Sequence, residues 1–71
     1  MNYELVQALG RCIDRLERIG NELELDKDII NGAVSGDLKK EYLRAIDETK
    51  KQISEIKASI EVIKSEKEQL A

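Results

Sequence analysis

Apolar residues return every three or four positions along almost the whole chain, a spacing that belongs to helices packed side by side rather than to strands. In the first half, Val6, Leu9, Ile13, Leu16, Gly20, Leu23 and Ile30 follow it. The steps alternate between three and four, so these residues take positions a and d of a heptad lettered a to g. Leu5, Cys12 and Ile19 form a second line, one heptad apart, at position g. The apolar stripe of this half is therefore about three positions wide per heptad, wider than a single helix-to-helix seam requires.

The second half is more regular. Tyr42, Ile46, Thr49, Ile53, Ile56, Ile60, Ile63, Lys67 and Leu70 follow 4-3 spacing without a break. Lys50, Lys51, Glu55, Lys57, Glu61 and Lys64 fall between them and are expected to face water. Asp47–Lys51, Lys57–Glu61 and Lys64–Glu68 stand four apart, where opposite charges help a helix slightly. With no proline, and no glycine after Gly36, one helix of about 33 residues is allowed, roughly 50 Å long.

Asn31-Gly32 can end a helix in the left-handed conformation. Ser35-Gly36-Asp37 follows, with Ser35 or Asp37 as the next N-cap. The expectation is a single all-α domain over 1–71, an antiparallel hairpin of helix 3–31, loop 32–36 and helix 37–70. One region strains it. In an unbroken first helix, Glu22–Asp26 and Glu24–Asp28 are like-charge pairs near the negative end of the helix dipole. A break near Gly20 would make Asn21 an N-cap with Glu24 three residues on, and the same acids would then favour a helix start. A straight helix could instead use Gly20 for close backbone approach. Both readings stand on the sequence.

The residue inventory narrows the chemistry. There is no histidine, so the commonest general base and metal ligand is missing. One cysteine, Cys12, can neither close an internal disulfide nor build a thiolate zinc site, and its place on the apolar g line marks it as structural. A secreted domain this small usually carries disulfides, so a reducing cytoplasm is expected. No run of apolar residues reaches the ~20 that span a bilayer, and Glu4 and Gln7 interrupt any signal-peptide pattern. Gly10, Gly20, Gly32 and Gly36 fit no phosphate-binding loop. The acidic run from Glu22 to Asp28 fails the EF-hand pattern, with Ile30 at the third ligand position and Gly32 one residue late. No enzyme activity, cofactor or metal is expected.

Net charge is −3, and the whole excess sits in residues 21–36. Such a chain is a poor candidate for general nucleic-acid binding. Arg11, Arg15 and Arg18 share one outward face at positions f and c. Asp14 can pair with Arg11 and Arg18, and Glu22 with Arg18, which leaves Arg15 the most available for a partner carboxylate or phosphate. Glu22, Glu24 and Asp28 form the alternative contact, for a basic partner.

Eight Leu, nine Ile and three Val are more aliphatic surface than one seam consumes. A single core below ~70–80 residues rarely supplies more than ~3–5 kcal/mol. Two hairpins joined as a four-helix bundle, or a higher oligomer, would use the surplus. The expected core and oligomer interface is Leu5, Val6, Leu9, Cys12, Ile13, Leu16, Ile19, Leu23, Ile30, Tyr42, Ile46, Ile53, Ile56, Ile60 and Ile63. The function expected of such a chain is a small oligomeric interaction module, a dimer first of all, that binds another protein as adaptor, regulator or inhibitor. A phage- or mobile-element-encoded inhibitor fits that size. Two alternatives remain: a nucleic-acid-binding regulator using the Arg11/Arg15/Arg18 face, and an oligomer holding a small anionic ligand at a subunit junction.

Overall fold

A computed structural model describes residues 2–70, with side chains for 3–69. Met1 and Ala71, and the side-chain position expected for Leu70, lie outside the described residues. Two helices make up the fold, α1 (Asn2–Ala33) and α2 (Asp37–Leu70), packed antiparallel as a hairpin. The hairpin is a rod, 53 × 15 × 11 Å across its Cα atoms.

α1 runs unbroken through Gly20. The a/d register passes this residue without a shift, so Leu16 and Leu23 on either side dock on α2 together. That shared docking outweighs the ~1 kcal/mol helix penalty of one glycine. The expected end of the helix at Asn31-Gly32 is also superseded. The helix continues to Ala33, and the Val34 amide still donates to the Ile30 carbonyl at 3.0 Å. The connection shrinks to residues 34–36, and the left-handed residue is Gly36, at φ 90°, rather than Gly32. Among the described residues neither Ser35 nor Asp37 makes a capping hydrogen bond. Asp37 acts instead as a negative charge in the first turn of α2, where the helix dipole favours it.

The seam of α1 is the expected one. Val6, Leu9, Ile13, Leu16, Gly20, Leu23, Lys27 and Ile30 are all partly covered. α2 departs from expectation. Its covered residues are Lys39, Ile46, Ile53, Ile60 and Lys67 at position a, joined by Leu43, Lys50, Lys57 and Lys64 at position e. The d line of Tyr42, Thr49, Ile56 and Ile63 stays exposed. Three lysines expected to face water thus lie along the seam, and three large residues expected in it do not.

Side-chain shape and charge explain the exchange. A lysine can lay its methylene stem on apolar surface and keep its ammonium wet. The Lys64 stem passes over Gly10 of α1, its Cε 3.6 Å from where a Gly10 Cβ would stand, an ordinary contact distance. Lys57 reaches Glu17 of α1 at 2.7 Å, Lys50 reaches Glu24, and Lys27 of α1 reaches Asp47 at 2.8 Å. These contacts step along the two helices in opposite directions by equal numbers of residues, so they fix one antiparallel register. They also relieve the acidic end of α1, because Lys50 offsets Glu24 against Asp28. Exposed ion pairs add little stability each; their effect here is to specify alignment.

Candidate functional site

The hairpin has two unlike faces. The helical repeat and the seam positions determine which residues share each one. With α1 docked through a and d, and α2 through a and e, the e line of α1 and the b and e lines of α2 flank the same side. That side carries Glu17, Glu24, Asp47, Lys50 and Lys57, the ion pairs just described. A shallow hollow opens there over Gly20, edged by Leu16, Ile53 and Ser54.

The opposite side carries the g line of α1 and the d line of α2. The register set by the ion pairs brings Ile19 level with Ile56, Cys12 level with Ile63, and Asp26, the one charged residue of the g line, level with Thr49. Leu5 continues the line at one end of the rod and Tyr42 at the other. Ile56 is 52% exposed, Ile19 and Ile63 43% each, and Leu5 40%. Cys12 is partly covered and free. Along α2 this face is a complete second stripe at 3-4 spacing, formed by Tyr42, Ala45, Thr49, Gln52, Ile56, Ser59 and Ile63, and it holds no charged residue. Two of its three hydroxyls, those of Thr49 and Ser59, are already occupied within the helix. Thr49 Oγ1 donates to the Ala45 carbonyl at 2.9 Å and Ser59 Oγ to the Glu55 carbonyl at 3.1 Å.

The hairpin brings together some of the residues expected at the core or interface and leaves others out. Val6, Leu9, Ile13, Leu16, Leu23, Ile30, Ile46, Ile53 and Ile60 line the seam. Leu5, Ile19, Tyr42, Ile56 and Ile63 remain on the surface. Among the described residues Ile46, at 7% exposure, is the one buried side chain. Near it, Leu23, Asp26, Ile29, Ile30 and Tyr42 edge a small groove toward the connection.

The charged candidates are spread apart. Arg11, Arg15 and Arg18 are exposed on the outer side of α1. Among the described residues none of the three forms an ion pair, so Asp14 and Glu22 do not occupy Arg11 and Arg18 as expected. Arg15, at position c, borders the apolar face. Glu24 is committed to Lys50 on the opposite face, while Glu22 and Asp28 are exposed elsewhere around α1. Among the described residues no three acids or cysteines gather into a set that could hold a metal ion. Asp47 pairs across the seam with Lys27, whereas Lys64–Glu68, at 2.6 Å, stays within α2. Lys57 holds its proton more tightly than an ordinary lysine, first through its hydrogen bond to Glu17, then through the charges of Glu17 and Glu61; partial desolvation opposes this.

The residues missed by sequence reasoning are Lys50, Lys57 and Lys64. A signal was present: they are spaced seven apart, in step with Glu17 and Glu24 of an antiparallel neighbour. No known protein family, curated protein or solved structure matches the chain. No helix among the described residues is long and apolar enough to cross a membrane.

Proposed function

We propose that this chain is a non-enzymatic protein–protein interaction module that acts as an oligomeric adaptor, regulator or inhibitor in the cytoplasm. One observation carries the reading: a rod with a single buried side chain among the described residues presents a line of large apolar side chains opposite a face bridged by ion pairs. A contiguous apolar strip of this kind on a small protein marks a contact surface. The outer side of α1, with Arg15 at its centre, is then the surface offered to a different macromolecule. The unpaired state of Arg11, Arg15 and Arg18 also favours a second reading, in which that side meets the phosphates of a nucleic acid.

The test is retention of partners from the native cell extract on the immobilised protein, with identification by mass spectrometry. Arg15→Glu is expected to weaken retention of a specific protein more than tenfold, or about 1.4 kcal/mol. Retained nucleic acid that is released by moderate salt, and lost with the arginines, establishes the second reading instead. Retention of nothing above background by the wild-type chain refutes both.

A further inference from the structure

We infer that the apolar face is covered by a second copy of this chain, so that two hairpins close a four-helix bundle across Ile19, Ile56 and Ile63. The inference rests on the oligomeric reading above and adds which face is used and by what.

Surface area favours a partner of this size. The hairpin exposes 5582 Å². A folded monomer of 8.1 kDa is expected to expose about 4,500 Å², so the chain carries a surplus of about 1,100 Å². A standard interface takes about 800 Å² from each partner. The side of the hairpin that carries this face measures 53 Å by 15 Å at the Cα level, room for an interface of about that size. A partner that covers Leu5 at one end and Tyr42 at the other must itself be about as long as a 34-residue helix. A second hairpin has that length.

Charge favours the same occupant. A face that recognises a charged partner carries the opposite charge, whereas the α2 stripe between Tyr42 and Ile63 carries none. That stripe can therefore lie against its own copy without setting like charges together, as a two-fold contact demands, and the one acid on the g line of α1, Asp26, lies beyond the Ile19–Ile56–Ile63 stretch toward the connection. Two of its three hydroxyls meet the remaining requirement. Thr49 and Ser59 already donate within α2, so covering them with apolar groups strands no donor. Lys50, Lys57 and Lys64 share the intramolecular seam with Ile46, Ile53 and Ile60 and leave Ile56 and Ile63 for the second contact. That division makes the hairpin one half of a larger core.

Sedimentation equilibrium of the full chain at micromolar concentration tests the inference, and the expected mass is twice 8.1 kDa. Ile56→Glu is expected to weaken association at least a hundredfold. Ser59→Arg, at an exposed position where arginine is a good helix former, is expected to do the same without touching the intramolecular seam. Val62→Glu, on the side of α2 that points away from α1, is the control and is expected to leave the mass unchanged. A wild-type mass of 8.1 kDa overturns the inference and the oligomeric reading together. An assembly of two copies that is indifferent to both Ile56→Glu and Ser59→Arg overturns the face assignment alone. Equal loss with Val62→Glu, or a mass of three or more copies, overturns the two-hairpin closure.

Discussion

Gly20→Ala is expected to stabilise the protein, although Gly20 sits in the middle of a helix-packing seam. A seam glycine is commonly there because a Cβ would strike the neighbouring helix. Here an added Cβ would meet nothing within 4 Å. The methyl group would enter the hollow between the two cross-seam lysines, Lys50 and Lys57. The substitution therefore brings neither a clash nor a new packing contact, and what remains is backbone entropy. Alanine is favoured over glycine in a helix interior by roughly 0.8–1.0 kcal/mol. For a domain of this size ~1 kcal/mol corresponds to a rise of about 4–8 °C in melting temperature. The assay is thermal unfolding followed by circular dichroism at 222 nm, with protein concentration held fixed so that the two melts are compared under one condition. A lowered midpoint would refute the reasoning: it would show that something fills the hollow in solution or that α1 bends there. The hollow lies on the ion-paired face, away from the apolar one, so the result is independent of whether a second copy covers the latter.

Gly36→Ala is expected to act in the opposite sense, lowering stability by about 1–2 kcal/mol in the same melt, because its φ of 90° is costly for any residue with a Cβ. Ile46→Ala is expected to cost about 2–5 kcal/mol by urea titration, since it empties the one buried position among the described residues. Lys57 predicts a pH dependence. Its pKa lies above the usual 10.5 in the folded chain, so its contribution is complete below about that pH and is lost as pH rises through the folded value. Melting temperature from pH 8 to 12 is expected to fall less steeply for Lys57→Gln than for the wild type, and parallel curves would show that the Glu17 contact adds nothing.

The fold was legible in the sequence because helical spacing, a glycine-marked connection and the lack of proline all pointed to one architecture. Agreement across such independent levels is what makes a short chain readable. Details controlled by tertiary contact were less legible. Local rules allowed a helix end at Asn31-Gly32 and a break at Gly20. The structure takes neither, because the continuous register of Leu16, Leu23 and Ile30 on α2 is worth more than the local preferences. The acids of residues 22–28 looked unfavourable in an unbroken helix only while α1 was considered alone. Lys50 supplies the missing charge from the other helix. Of the candidate partner residues, the exposure of the three arginines was legible, but the commitment of Glu24 was not, since it depends on the antiparallel register.

The α2 seam shows why hydrophobic pattern alone names the wrong flank. Ile46, Ile53 and Ile60 belong to the seam under any reading. A helix needs a second line beside them, and two were on offer: isoleucine-bearing d and lysine-bearing e. Ranking by apolarity selects d. The hairpin selects e, because lysine is the only one of the two flanks that can cover the seam edge and also pair with Glu17 and Glu24 of α1. An isoleucine in that place would gain stem contact and lose the ion pair that sets register. Placing lysines on the seam leaves Ile56 and Ile63 outside, and isoleucines at heptad spacing are costly to keep in water. The pattern of α2 therefore does two things at once: its a and e lines meet α1 through isoleucines and cross-seam ion pairs, and its d line leaves Ile56 and Ile63 on the surface.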